Sequence, residues 1–392
     1  MALPRVFVTG IGAVSAIGLT AEENRTSLLT GKHGIAPVQR ISTKNSHLMV
    51  GEVKLSDEEI LAKLGNPEGI FTRTSLLGML AAKEALAQAG IEDCSDAPTG
   101  LISSTSVGGM GKTENYYYDY LTNDEHLEFI ITHDCGDSTE CLADYFGIKD
   151  YLATISTACS SAANAVMMGA RLIKSGQLDR VVVGGTDCLT KFTLNGFNTL
   201  MILDAEHSRP FDQTRRGLNL GEGAGFLVLE SEELVRKSGK KALAEVSGYG
   251  NANDAHHQTA SSPEGEGAFL AMSQAFQVSG LEPSAISYIN VHGTGTENND
   301  QSEGTAINRI YEGNTPPFSS VKAFTGHTLA AAGGLEAVYS VMAIDKGCIY
   351  PNLNFQHPIE GLNLVPETEG REGENIQHVL SNSFGFGGIV PL

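Results

Sequence analysis

Short β-branched runs alternate along this chain with longer Ala-rich stretches whose apolar residues recur at helical spacing. The first run, RVFVTG, predicts a strand over Val6 to Thr9 that enters a glycine turn. SLLGMLAAKEALAQAG then reads as a helix, GLISSTS as a strand, AANAVMMGARLIKSG as a helix and RVVVGGTD as a strand. After LGEGAG comes the strand FLVLE. The second half repeats the rhythm with the helix GAFLAMSQAFQVSG, the strand ISYINVHG, a helix from Asp300 to Tyr311 and an Ala-rich helix starting near His327. Strands that alternate with helices predict the α/β class.

The charged stretch Glu230 to Lys241 reads as a solvated helix and connector. It predicts a boundary near residue 240, with one unit over 1–240 and a second over 241–392. A weak internal repeat supports the division. Thr157-Ala158-Cys159-Ser160-Ser161 opens one Ala-rich helix and Thr325-Gly326-His327-Thr328-Leu329 opens another, each placing a reactive side chain on the first turn. The two helix starts are expected to face one site.

Composition narrows the classes. A chain of 392 residues with 41% hydrophobic positions can bury a large core. Its net charge of −20, from 26 Lys and Arg against 46 Asp and Glu, argues against nucleic acid and anionic lipid as partners. The start, MALPRVFVTGIGAVSAIG, is too interrupted by glycine and proline for a signal peptide or a membrane span, and no run of 18 apolar residues follows. The six cysteines lack CxxC spacing, and the scattered histidines, His256 and His257 included, form no ligand set, so no metal is expected. A reduced, cytoplasmic protein is the expectation. LGEGAG lacks the GxGxxG spacing, precedes a strand and has no Walker lysine, which excludes a nucleotide loop. The 45 glycines exceed the roughly 7% of average usage. They imply tight turns and close backbone approaches.

Cys159 is the first candidate for chemistry. At a helix N-terminus, unpaired backbone N–H groups would favour its thiolate and could cradle an oxyanion. A small buried residue opening a core helix explains the same position equally simply, and the remaining five cysteines read as packing residues.

Six ordered segments decide between these readings: TACSSA around Cys159, SRPFD (208–212), LGEGAGFLVLE (220–230), VHGTGT (291–296), VKAFTGH (321–327) and NSFGFGG (382–388). Together with VTGIGAVSAIG at the start, they resemble the β-ketoacyl-acyl carrier protein synthases of the thiolase superfamily, and most closely the elongating type with a Cys-His-His triad. The resemblance implies a thiolase-like fold, in which two similar halves build a five-layered αβαβα sandwich. It also implies a decarboxylative Claisen condensation between an acyl thioester and malonyl-acyl carrier protein, in fatty acid or related polyketide and polyene synthesis. No cofactor is implied, because the substrate carries its own phosphopantetheine on the carrier protein.

By that resemblance, Cys159 is the nucleophile, and His292 and His327 assist decarboxylation of the malonyl thioester. Lys322 tunes the site electrostatically, and Glu336 pairs near it. Thr294 and Thr296 bind the phosphopantetheine arm. Phe386 gates the acyl pocket and lends its N–H to the oxyanion hole beside that of Cys159, and the glycine-dense run around it reads as a loop. Val107 and Phe197 line the acyl tunnel toward a dimer interface. The loop that holds His256 and His257 lines the mouth. The implied partners are the acyl carrier protein and a second subunit, in a homodimer or a heterodimer.

Two departures from the family pattern stand out. Ile389-Val390-Pro391-Leu392 stand where relatives continue with Thr or Asn and a closing strand, so a short or missing strand is expected. Met201 stands near an arginine that grips the carrier in relatives, which leaves Arg73, Arg171, Lys174 and Arg180 as candidate docking cations. A non-catalytic partner of a condensing heterodimer and a thiolase acting on coenzyme A thioesters are the alternatives. Retention of Cys159 disfavours the first, and the wording of FTGH and NSFGFGG disfavours the second.

Overall fold

The computed structural model describes residues 4–257, 259–386 and 388–391, the last four as backbone alone. Six strands form one sheet in the order Tyr151–Ile155, Thr99–Ser104, Arg180–Asp187, Gly223–Ser231, Val6–Val14 and Ala244–Glu245. The first three run parallel and the remaining neighbours antiparallel. A second sheet has the order Phe318–Ser319, Tyr288–Asn290, Val379–Gly385 and Gly388–Pro391, parallel except for the last pair.

The inner strands of the first sheet are buried on both faces, which is why RVVVGG and FLVLE read as continuous apolar runs. Val181, Val183, Leu227 and Leu229 face inward onto the helices Ser161–Lys174 and Ala332–Lys346. Val182, Phe226 and Val228 face the other way, onto the helix Arg73–Gln88. A third cluster packs Ile289, Phe318 and Leu380 of the second sheet against Ala268, Met272, Ala306 and Ile307 of the helices Glu266–Ser279 and Glu297–Tyr311. Helix, sheet, helix, sheet and helix therefore succeed one another in five layers, the thiolase-like sandwich.

Glycines set how closely the layers approach. The first strand does not turn at Gly10 but continues to Val14. A Cβ at Gly10 or Gly12 would stand 2.1 Å from the Ala85 carbonyl oxygen or 2.0 Å from that of Ala81, so these glycines admit the outer helix. Gly225 of LGEGAG is likewise pressed onto Gly334 of the central helix.

The run NSFGFGG, expected as a loop, is instead largely strand. Val379–Gly385 pairs with Gly388–Pro391 as a hairpin, with Gly385 opposite Gly388 and Asn382 opposite Pro391. The closing strand is short and present. Backbone pairing, which composition does not register, overrides the glycine density here. The charged connector forms the helix Glu232–Ser238, none of whose residues is buried. Glu230 is no part of that solvated surface: it ends the preceding strand fully buried, bonded to Arg180 at 3.0 Å and Lys240 at 3.2 Å.

Candidate active site

The two central helices carry the site at their N-terminal ends, where a Cβ on Gly333 would stand 3.0 Å from the Ala163 nitrogen. Neither reactive residue lies on a first helical turn as expected. Ser160 caps the helix that starts at Ser161, so Cys159 precedes it in a tight turn with Ala158 at φ +52°. His327 lies five residues ahead of Ala332, separated from it by a 3₁₀ turn over Leu329–Ala331. Asn219 fixes His327, accepting its N–H at 2.7 Å, and Gly221 donates to the His327 carbonyl at 2.9 Å.

His292 lies two residues beyond the end of the strand Tyr288–Asn290, and Glu303 holds its loop. The Glu303 carboxylate accepts the N–H groups of His292 and Gly293, each at 2.8 Å. The two imidazoles meet edge to face, with centroids 5.4 Å apart. One potential ligand atom from each of Cys159, His292 and His327 lies within 4.8 Å of the others, and all three side chains are buried. A set of one sulfur and two imidazoles is compact enough to hold a soft cation as well.

Electrostatics keep this group neutral. Burial pushes the Cys159 thiol up to about 12, and Lys322 partly opposes that rise. The expected thiolate at a helix N-terminus is therefore not the resting form, because desolvation dominates. Burial, together with the Lys322 charge, holds both imidazoles well below the usual histidine range. Among the described residues, neither Nδ1 has a hydrogen-bond partner.

Lys322 and Glu336 are both buried and form an ion pair. The same ammonium donates to the His292 carbonyl at 2.6 Å, and Ser383 donates to the other Glu336 oxygen at 3.4 Å. Gly385 of the hairpin leans on the cysteine turn: a Cβ there would meet the Thr157 carbonyl oxygen at 2.8 Å and the Cys159 nitrogen at 3.2 Å.

A cleft of about 360 Å³ ends on Cys159, His292 and His327. Thr294, Thr296, Phe197 and Phe386 line it, with the two threonine hydroxyls 2.8 Å apart and the two phenyl rings stacked at 6.3 Å. Val107 does not line it; this residue is buried in the core beneath the outer helix. Thr259 and Ser261 carry the neighbouring loop to the cleft, whereas the exposed His256 and His257 stay off its lining.

Two of the proposed docking cations are internal. Arg73 is locked by Glu222 at 2.6 Å and Asp57 at 2.7 Å, and Arg180 is buried between Glu230 and Asp96. Arg171 and Lys174 border a different groove, with Lys174 lying 5.0 Å above the Tyr249 ring.

Sequence reasoning missed Asp187, Glu303 and Asn219. Asp187 ends a core strand, where it accepts from Thr105 Oγ1, from Ser106 N at 2.9 Å and from Ala330 N at 2.8 Å. A carboxylate at the end of the apolar run RVVVGG was the available signal for it.

The chain matches known proteins along nearly its whole length. Residues 4–234 match the beta-ketoacyl synthase N-terminal domain, and residues 243–356 match the C-terminal domain. The chain is 33% identical to a 3-oxoacyl-[acyl-carrier-protein] synthase 2 of Vibrio cholerae, over 99% of this chain and 98% of that one. It is 34% identical to the protein of the same name from Synechocystis, over 98% and 96%. Among solved structures, the ishigamide ketosynthase/chain length factor superposes with a TM-score of 0.92 at 29% identity, covering 100% of this chain and 98% of that one. A ketosynthase in complex with its chain length factor from Xenorhabdus doucetiae gives 0.84 at 29% identity, covering 99% and 97%. The domain matches, the full-length identity and the buried cysteine with its two histidines establish that this chain belongs to the β-ketoacyl synthase family.

Proposed function

We propose that this chain is a catalytically active β-ketoacyl-acyl carrier protein synthase, in which Cys159 takes an acyl group from a carrier thioester and condenses it with malonyl-acyl carrier protein. The observation that carries this reading is the convergence of the thiol and two neutral imidazoles at the end of one cleft.

In the first step the Cys159 sulfur attacks the acyl carbonyl. Its proton passes through a neighbouring imidazole to the departing pantetheine sulfur, so one thioester replaces another. Backbone N–H groups of Cys159 and Phe386 are the proposed oxyanion donors, a role that fits the press of Gly385 onto the cysteine turn. In the second step malonyl thioester loses carbon dioxide, and its electron pair becomes an enolate whose oxygen the N–H groups of His292 and His327 stabilise. The enolate carbon attacks the acyl-Cys159 carbonyl and expels the cysteine sulfur, which takes up a proton from solvent through a neighbouring imidazole. Neutral imidazoles suit this task because an N–H donor is needed and a full positive charge is not.

Lys322, paired with Glu336, holds the His292 carbonyl and acts on the site through it. Thr294 and Thr296 are the proposed contacts for the phosphopantetheine arm. Phe197 and Phe386 form the gate. We further propose that the units over 1–240 and 241–392 are the two halves of the sandwich, that the chain pairs as a homodimer or with a chain length factor, and that it works in the cytoplasm. The family domains on either side of residue 240 support the first point. The ketosynthase–chain length factor neighbours support the second. Retention of Cys159 favours the active member of such a pair.

The test supplies malonyl-acyl carrier protein with acyl-carrier donors of graded length, with and without a chain length factor, and reads 3-oxoacyl products by mass. Turnover by the chain alone supports a homodimeric enzyme. Turnover only with the added subunit supports the heterodimer. Product from coenzyme A donors alone contradicts the proposal in favour of a thiolase.

A further inference from the structure

We infer that Cys159, His292 and His327 form an inhibitory site for Zn²⁺, so that the ion and an acyl group compete for one sulfur. The loss of turnover rests on the condensing reading, whereas the binding itself does not.

A thiolate sulfur and two imidazole nitrogens are donors that zinc takes, at about 2.3 Å and about 2.0–2.1 Å. One potential ligand atom from each of the three side chains lies within 4.8 Å of the others. A cation at their centre therefore stands within about 2.8 Å of all three, and side-chain rotations of about 0.5–0.8 Å bring the bonds to length. Among the described residues, no other three Cys, His, Asp or Glu side chains are grouped this way. His292 and His327 are 1% and 2% exposed, and neither Nδ1 has a hydrogen-bond partner among the described residues. No neighbour of Nδ1 thus fixes which ring nitrogen carries the proton, and each neutral ring can turn a lone pair toward the sulfur. The fourth position faces the cleft of about 360 Å³, which gives the ion an entry path and room for a water ligand.

The surrounding charges permit a cation. Lys322 opposes one, but Glu336 pairs with that ammonium, and the nearby Asp187 carboxylate, whose charge acts on Cys159, attracts one. The same geometry limits the strength of binding. In a resident zinc site the far ring nitrogen of each histidine donates to a carboxylate, a carbonyl or a water, and losing such a partner weakens binding about 10–100-fold. Neither Nδ1 has such a partner among the described residues, so the ion is a reversible occupant and not a resident cofactor. On binding, the Cys159 S–H bond breaks, its proton leaves to solvent through the cleft, and a zinc–sulfur bond forms as water leaves the ion. Nothing is oxidised or reduced. The bound sulfur no longer attacks an acyl carbonyl, and both imidazoles are withdrawn from the malonyl half-reaction.

The experiment titrates the reduced, chelator-treated protein with Cd²⁺, whose bond to a thiolate gives an ultraviolet charge-transfer band, and then displaces it with Zn²⁺. The expected result is one Cd²⁺ per chain with that band, and an X-ray absorption spectrum of the zinc complex that shows one sulfur and two imidazole ligands. Cys159→Ala should lose the band, and His292→Ala and His327→Ala should each keep it while weakening Cd²⁺ binding at least about tenfold. Zn²⁺ equimolar with the chain should slow acylation by octanoyl-N-acetylcysteamine at least about tenfold, and EDTA should restore the rate. Equal affinity in the histidine variants, which leaves a bare thiol as the ligand, overturns the inference. So does undiminished Zn²⁺ binding to Cys159→Ala in equilibrium dialysis, or a wild-type zinc spectrum without sulfur, which does not depend on how any variant folds. If the metal binds as expected and no donor acylates the wild type, the site is supported and the condensing reading falls. If donors acylate Cys159 and Zn²⁺ neither binds nor inhibits, the zinc inference alone falls.

Discussion

The Lys322 ammonium lies 2.6 Å from the backbone carbonyl of His292 while it is paired with Glu336, so one buried cation ties the histidine loop to the central helix. Lys322→Ala strands the Glu336 carboxylate, and a loss of about 3–5 kcal/mol in urea unfolding is expected. The double variant Lys322→Met/Glu336→Leu should recover most of that stability and yet remain defective in condensation. Recovery of both would reduce the pair to a packing element.

Either histidine can relay the Cys159 proton in the first half-reaction, whereas the second half-reaction uses both. His292→Ala and His327→Ala should each still form the acyl-Cys159 adduct but lose malonyl decarboxylation by about 10²–10⁴-fold, measured as release of carbon dioxide. Because both imidazoles titrate well below 6.5, they are neutral throughout the pH range 6.5 to 8. The decarboxylation rate should therefore show no histidine limb in that range.

Asp187 provides a stability test with a defined sign. Burial raises its carboxyl from 3.8 to about 6, so the folded protein holds this proton more tightly than the unfolded chain does. The contribution of Asp187 to stability is then greatest below 3.8, falls as pH rises to about 6 and is constant above that. Asp187→Asn lacks this dependence. The difference in unfolding free energy, wild type minus variant, should fall by up to about 3 kcal/mol across the window. A difference that does not vary with pH would contradict the assignment.

Much of this architecture was legible because the central core strands announce themselves, whereas the edge strand Tyr151–Ile155 was not read. RVVVGG and FLVLE read as strands from their apolar runs, and the structure shows that their side chains alternate between two apolar layers. The convergence of Cys159 and His327 was legible from the repeat, although neither residue stands on a first helical turn. What escaped depends on partners far away in sequence. Gly10 and Gly12 looked like a turn because their reason, the carbonyls of Ala81 and Ala85, lies about seventy residues on. Arg73 and Arg180 looked like surface cations because Glu222 and Glu230 meet them only after folding. The neutral thiol escaped for a similar reason: burial by distant layers sets its proton affinity.

Gly385 is the contact between hairpin and nucleophile turn that a single methyl group would disturb. In Gly385→Ala the added carbon meets the Thr157 carbonyl oxygen at 2.8 Å, so the hairpin must move away from the Cys159 nitrogen. A stability loss of about 1–3 kcal/mol is expected. The rate of Cys159 acylation should fall at least about tenfold, read by rapid-quench mass spectrometry.

The central claim is tested most directly by the mass of the intact protein after incubation with octanoyl-acyl carrier protein, followed by addition of malonyl-acyl carrier protein. An octanoyl adduct that maps to Cys159 and is discharged as 3-oxodecanoyl-acyl carrier protein is the predicted result, with neither species formed by Cys159→Ala. Condensation product from Cys159→Ala, or product from the wild type without any Cys159 adduct, would contradict it.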